Sequence, residues 1–271
     1  MLNLESTEPA DAAPARAVGG VHGRSLALAQ VALLAAALIA WYGLTAIDVL
    51  PPFFFGEPVK VFAQLWLWFA SGKIYLHLGV TLLETVLAFG LGTLLGLVIG
   101  LWLGLSPTAS ALLDPYIKAV NSMPRVVMAP IFAVWFGLGI WSKVALGVTL
   151  VFFLVFFNVF QAVKEVSPTV LANARMLGAS PRQLLRFVYL PSATSWVFAS
   201  LHTSIGMAFV GAVVGEYLGS ARGVGYLILE AEGLFDINGV IAGIVVLTVC
   251  ALALDLLVTW LENRLLVWRP R

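Results

Sequence analysis

Apolar runs long enough to cross a bilayer alternate with short polar joints along most of this chain. A membrane helix needs about 20 predominantly apolar residues. Six stretches meet that length: 26–47, 78–105, 111–138, 141–163, 192–217 and 240–261. The third is the most polar, carrying Asp114, Lys118 and Arg125 together with Pro124 and Pro130. Ahead of the first lie residues 1–25, rich in Ala, Pro and Gly and without a period, which read as a disordered tail. The first run is longer than the apolar core of a signal peptide, about 7–15 residues, and is expected to stay in place as a span.

Two longer joints carry patterns of their own. In 48–77, Pro51, Pro52 and Pro58 break the chain, and Val59, Phe62, Ala63, Trp66 and Phe69 then recur at helical spacing. That stripe is too short to span. It predicts a helix lying in the interface, with Trp66 and Trp68 at headgroup level. The joint 218–239 holds Gly219, Gly223, Gly225 and Gly233 beside Glu230, Glu232 and Asp236. It is expected to be irregular, serving either as a solvated loop or as a contact for an outside partner.

Composition agrees with the pattern. Of 271 residues 61% are hydrophobic and 11% charged, against about a quarter charged in soluble domains. A net charge of +1 gives no basic field for nucleic acid. The single cysteine, Cys250, sits in an apolar run and is expected to face lipid or a neighbouring helix.

Basic residues set the orientation. With the N-terminus inside, the inner joints hold Arg16, Arg24, Lys164, Arg175, Arg182, Arg186, Arg264, Arg269 and Arg271, and the outer ones only Lys60, Lys73, Lys143 and Arg222. This satisfies the positive-inside rule and returns the C-terminus to the same side.

Within the second span, Gly92, Gly96, Gly100 and Gly104 follow a strict four-residue spacing. They share a face on which another helix backbone can approach closely, in this chain or in a second copy. In the third span, Pro124 and Pro130 remove backbone donors and bend the helix. Broken backbone persists in a bilayer only under protein or beside a water-filled cavity. Arg125, near mid-span, costs about 3 kcal/mol on insertion scales if unpaired, so it is placed toward the interior. It serves there either as a pathway residue attracting an anion, or as half of an ion pair with Asp114, Glu84 or Asp255. Met123, Pro124, Met207 and Glu216 complete the pathway candidates. Glu216, at the end of the fifth span, reads equally as a headgroup-level carboxylate.

The inner joint 164–191 reads KEVSPTVLANARMLGASPRQLLRFVYLP. Ser167-Pro168 starts a helix, serine as the cap and proline in the first turn. Val170, Leu171, Ala174 and Leu177 form its apolar stripe, and Gly178 stops it. Ser180-Pro181-Arg182-Gln183 starts a second helix with a capping box. Leu184, Leu185 and Val188 line that helix, Arg182 and Arg186 share another face, and Leu190-Pro191 closes the unit. Two short, sharply bounded amphipathic helices suit a groove on a partner better than a lipid surface.

This joint resembles the EAA motif of permease subunits from bacterial ABC importers. That motif is Glu-Ala-Ala, a glycine four residues on, then nine residues and Ile-x-Leu-Pro. Here Ala174, Gly178, Val188, Leu190 and Pro191 match its spacing, while Ala172-Asn173-Ala174 lacks the glutamate. The stretches ARMLGAS, MPRVVMAPIFAVWFGLG and GEYLGSARGVGYLI are similar to the branch importing nitrate, sulfonates, taurine and pyrimidine precursors of thiamine. The likeness covers about residues 75 to 262.

The resemblance implies an all-α membrane protein, a type I importer permease with six transmembrane helices and a cytoplasmic coupling helix between spans 4 and 5. It implies a permease domain over 26–263 with inner tails 1–25 and 264–271, in a bacterial inner membrane with both termini cytoplasmic. The coupling residues would be Val170, Leu171, Ala172, Asn173, Ala174, Arg175, Leu177 and Gly178, with Pro191 behind them. The expected partners are ABC ATPase subunits, a periplasmic or lipid-anchored substrate-binding protein, and a second permease copy. The chain has no Gly-rich phosphate loop followed by Lys-Ser/Thr. ATP and Mg²⁺ are therefore expected on the ATPase, with no cofactor and no catalysis in this chain.

Other classes fit less well. Ser200, His202 and Ser204 alternate by two and so lie on different faces of a helix, which argues against an intramembrane hydrolase and for His202 as an interhelical hydrogen-bonding group. His22 and His77 lie outside the core runs, so no histidine metal cluster is apparent. An ion-coupled secondary transporter using Glu84, Arg125, Glu216 and Asp255 as a relay is the main alternative; it needs no two-helix inner joint.

Overall fold

The computed structural model describes residues 23–265, and the side chains of all of these except 23–24, 192–199, 261–263 and 265. Most of the two proposed tails, 1–22 and 266–271, lies outside the described residues. Every regular element among the described residues is helical.

Among the described residues, those up to Leu50 form a unit of their own. It consists of α1 (Gly23–Ala46) and the turn that follows. α1 is apolar and exposed along most of its length, as expected of a helix whose solvent is lipid.

The second unit begins at Pro51. It runs through α2 (Pro52–Phe55), α3 (Pro58–Ala70), α4 (Lys73–Leu105), α5 (Pro107–Asn121), a 3₁₀ turn (Arg125–Met128), α6 (Ala129–Phe136) and α7 (Ile140–Lys164). It continues with α8 (Pro168–Met176), α9 (Pro181–Leu184), a π turn (Leu185–Tyr189), α10 (Leu190–Leu218), α11 (Val224–Gly233) and α12 (Ile237–Leu265). Five helices in the two units are long and apolar enough to cross a membrane, six if the bent pair α5 and α6 counts as one span.

The core is the contact of α4, α7 and α10. One close seam in it is the predicted glycine face, and the partner is α7 of the same chain. A Cβ placed on Gly92, Gly96, Gly100 or Gly104 would lie 2.6, 2.8, 3.0 or 2.8 Å from the Cβ of Val151, Val155, Val159 or Val163. Valine also recurs every fourth residue, so a groove of absent side chains receives a ridge of stiff, branched ones. Ala88 and Ala208 close the centre of this core.

Four local expectations need correction. The third span is not one helix: α5 and the segment Arg125–Phe136 meet at 82°. Pro124 carries no N–H and disfavours helical geometry in the residue before it, so the ladder stops at Asn121. The joint 218–239 is not irregular throughout, because α11 forms within it. Trp66 and Trp68 do not both face outward: Trp66 is exposed, while Trp68 is 6% exposed, on the opposite side of α3, which packs on α4 and α12.

The fourth correction concerns the inner joint. Gly178 does end α8, with φ of +80°. The capping box at Ser180 forms both bonds, Gln183 N–H to Ser180 Oγ at 3.4 Å and Ser180 N–H to Gln183 Oε1 at 2.8 Å. Ser167, however, makes no side-chain cap bond. Nor does Leu190-Pro191 close the second helix. A π turn carries it into α10, Leu190 N–H donating five residues back to Leu185. The ladder thus shifts just ahead of Pro191, whose ring would obstruct a regular bond at that point.

Candidate functional site

The break in the third span places Arg125 on a cavity of about 260 Å³, lined also by Asn121, by Phe153, Phe157 and Asn158 of α7, and by Thr203 and Met207 of α10. Arg125 Nη2 donates to the backbone carbonyl of Asn121 (3.2 Å) and to its side-chain oxygen. The guanidinium carbon stands 4.6 Å from the centre of the Phe153 ring, a cation–π distance. Arg125 has no carboxylate partner among the described residues. Asp114 pairs instead with Lys118 at 2.6 Å, and Asp255 with His202 at 2.8 Å. Of the other pathway candidates, Met207 shares this cavity, while Met123 and Pro124 are exposed and do not line it.

Glu216 stands elsewhere. It is 0% exposed, so the headgroup reading fails. Thr81 Oγ1 donates to its Oε1 at 2.6 Å, and Gly225 N–H donates to its Oε2 at 2.8 Å. Thr81 Oγ1 also accepts Val224 N–H at 3.0 Å. The carboxylate and the hydroxyl thereby satisfy backbone donors that the first turn of α11 leaves open. That is why a helix forms in a glycine-rich joint. Gly223, at φ +108°, sits against the Glu216 carboxylate, where a Cβ would collide with it. His77 Nδ1 meets the same residue, 3.1 Å from its N and 3.0 Å from its O, and its ring stacks on Tyr226.

Glu84, also buried, has Glu216 and Lys143 as its charged neighbours. Lys143, one of the four basic residues of the outer joints, is 1% exposed. Its Nζ donates to the carbonyls of Leu138 (2.5 Å) and Gly139 (3.1 Å), which end the turn after α6. The cluster therefore ties α4, α6, α7, α10 and α11 together. Sequence reading named Glu84 and Glu216 but missed Lys143, Thr81 and His77. No local signal marks them, since a threonine or lysine near a helix start is ordinarily solvated.

The proposed relay is not brought together. Glu84 and Glu216 adjoin, Asp255 stands on α12 with His202, and Arg125 has its own cavity. His202 does fall on a different face of α10 from Ser200 and Ser204, the two serines buried and His202 bridging to α12. Both members of that bridge are partly exposed. A double-mutant cycle with His202→Ala and Asp255→Ala, followed by unfolding in mixed micelles, is expected to return a coupling of about 1 kcal/mol, as for interhelical polar pairs in membranes. A coupling near zero would show that the contact contributes no stability.

On the inner side, α8 buries none of its residues. Val170 is exposed, and so are Met176 at 79% and Leu177 at 88%. Leu171 and Ala174 are half-buried, and Ala172, Asn173, Arg175 and Gly178 are exposed. Met176 extends the apolar surface beyond the stripe read from spacing.

Residues 92–267 match the family described as binding-protein-dependent transport system inner membrane component. The chain is 33% identical over 238 residues to the putative aliphatic sulfonates transport permease protein SsuC of Bacillus subtilis (strain 168), covering 88% of this chain and 86% of that protein. It is 30% identical over 244 residues to the taurine transport system permease protein TauC of Escherichia coli (strain K12), covering 88% and 89%. An inward-facing structure of the MetNI methionine ABC transporter superposes with a TM-score of 0.61 at 19% identity, over 74% of this chain and 99% of that one, a likeness of fold.

Proposed function

The chain belongs to the binding-protein-dependent transport system inner membrane components, and from that membership we propose how its parts divide the work of import. It is the membrane-spanning permease subunit of an ABC importer, a multi-pass inner-membrane protein that is not itself an enzyme and carries no cofactor of its own. ATPase and substrate-binding partners follow from the family.

In our reading α8 is the part offered to the ATPase. One observation carries this: a short helix on a tether between two spans buries nothing and presents Val170, Met176 and Leu177 to water. An apolar surface of that kind is a groove-binding element. Val170 to Gly178 form the joint, with Ala172, Asn173, Ala174 and Arg175 around the apolar residues and Pro191 behind the π turn. ATP and Mg²⁺ bind on the ATPase, whose closure moves α8 and switches the pathway. The domain runs over 26–263, with 164–191 and the tails 1–25 and 264–271 on the cytoplasmic side. Two copies of this chain enclose the pathway, and a periplasmic or lipid-anchored binding protein delivers a small anionic solute. The relatives named for aliphatic sulfonates and taurine support that substrate class. The ion-coupled alternative draws no support from the family or from the scattered positions of its four residues.

Leu177→Asp tests the joint. The side chain touches little, so the fold should survive and the apolar dock should not. ATP hydrolysis by the reconstituted complex is expected to lose its dependence on binding protein, and uptake to fall by at least about tenfold, the equivalent of 1.4 kcal/mol of docking. Uptake at the unsubstituted rate, with normal complex recovery on a tagged ATPase, would remove α8 from the joint.

A further inference from the structure

We propose that the Arg125 cavity is a selectivity site in the membrane for a small organic monoanion, with Arg125 as its single cation. The proposal rests on the importer reading and adds the residue and the charge chemistry that the passing solute meets.

Four observations carry it. Arg125 lies at the break between α5 and α6, where the backbone leaves α-helical geometry within an apolar run; in a span such breaks persist beside protein or a cavity, and here a cavity is present. The guanidinium is held in place by Asn121 and by the Phe153 ring, two partners that carry no negative charge. Its Nε is buried without a hydrogen-bond partner, and Nη1 bonds to no protein atom among the described residues. The acids that sequence offered as its partners pair elsewhere, Asp114 with Lys118 and Asp255 with His202.

A structural arginine in a membrane is normally neutralised by a carboxylate or satisfied by carbonyls around its whole rim. Arg125 is oriented but not neutralised. Its remaining positive field falls on the cavity, whose other polar walls, Asn121, Asn158 and Thr203, are neutral. One fixed cation matches one negative charge. The rest of the lining sets the body of the solute: Phe153, Phe157 and Met207 accept an apolar chain. About 260 Å³ holds a solute below drug size. The combination describes a compact oxyanion head, sulfonate or carboxylate, on a short apolar or weakly polar chain. Asn121 and Phe153 act as positioning residues for the guanidinium.

Charge-selective thiol labelling tests this without knowledge of the natural solute. Cys250 is the chain's single cysteine. In a Cys250→Ala, Thr203→Cys permease assembled with its ATPase in nanodiscs, the new thiol is labelled in parallel with an anionic sulfonatoethyl and a cationic trimethylammonioethyl methanethiosulfonate. Labelling is read on the permease itself. The anionic reagent is expected to react faster. Arg125→Gln should lower the anionic-to-cationic rate ratio by at least about threefold, and Arg125→Lys should keep most of it, because the fixed charge attracts one reagent and repels the other.

A structural disturbance would change both rates together and leave the ratio. A ratio that falls by less than about threefold in Arg125→Gln overturns the proposal. A thiol that neither reagent reaches in any variant overturns it too, because the cavity would then be closed to solutes. ATP hydrolysis by the same nanodiscs reports separately on the importer reading. A complex that binds no ATPase defeats that reading, whatever the labelling ratio shows.

Discussion

Gly96→Leu is expected to prevent recovery of folded protein. Gly96 lies midway along the α4–α7 seam, where even a Cβ would stand 2.8 Å from Val155 Cβ and 3.0 Å from the carbonyl oxygen of Phe152. Neither neighbour can swing away: one is a β-branched stem and the other is backbone. A leucine must therefore push the helices apart. Overpacking of this kind costs about 1–3 kcal/mol in cores that can shift, and a seam locked at four levels has little room to shift. The loss should sit at the upper end or beyond. Lipid offers no compensating hydrophobic term, since close packing is what joins helices in a bilayer.

Gly90→Ala is the matched control. It lies on the same helix with nothing within 4 Å of its added methyl, and should be neutral or slightly stabilising. The measurement is retained monodisperse protein after heating in detergent. Gly96→Leu protein as heat-stable as Gly90→Ala would sink the seam. Val155→Ala in the Gly96→Ala background should recover part of the loss, because it removes the Cγ1 methyl that the new Cβ meets at 3.0 Å.

Glu216→Ala is expected to release α11 and abolish uptake. The substitution strands the buried Gly225 N–H, takes from the Thr81 hydroxyl its carboxylate acceptor and leaves it only the His77 carbonyl at 3.1 Å, and leaves Lys143 with only Glu84 as an acidic neighbour. Unsatisfied buried donors cost about 1–3 kcal/mol each, and removing one partner from a buried charged network costs about 3–5 kcal/mol. Glu216→Gln keeps one acceptor oxygen and should lose less. Tryptic cleavage after Arg222, an exposed residue in the turn just before α11, reads the release directly. It should be faster in the alanine variant and intermediate in the glutamine variant. Unchanged cleavage in both would mean that α11 is held by its apolar contacts alone.

How much of this was legible beforehand depended on the range of each interaction. The spans were legible because the bilayer imposes a length and a polarity on every helix, and α4, α7, α10 and α12 appear where the apolar runs lie. The stop at Gly178 and the capping box at Ser180 were legible because capping is settled within four residues. The break at Pro124 followed from proline's missing donor; its 82° angle did not. The helix within 218–239 was hidden because its cap comes from Glu216 and Thr81, residues outside it. The run past Pro191 was hidden because a π turn can absorb the proline that would otherwise end a helix.

The chain by itself determined its solvent, five of its spans, the close-packing face on α4, and the stop of α8 at Gly178. These follow from local rules, hydropathy over about 20 residues and hydrogen bonding within one turn. Only the tertiary structure decided which groups meet. The glycine ladder found its valine ladder 59 residues on, Gly92 against Val151. Glu216 turned inward to cap a helix, Lys143 was drawn out of solvent onto two carbonyls, and Arg125 came to rest on a cavity without an acid beside it. A side chain's charge and length are written in the sequence. Its partner depends on which helices cross, and crossings are set by packing summed over whole faces.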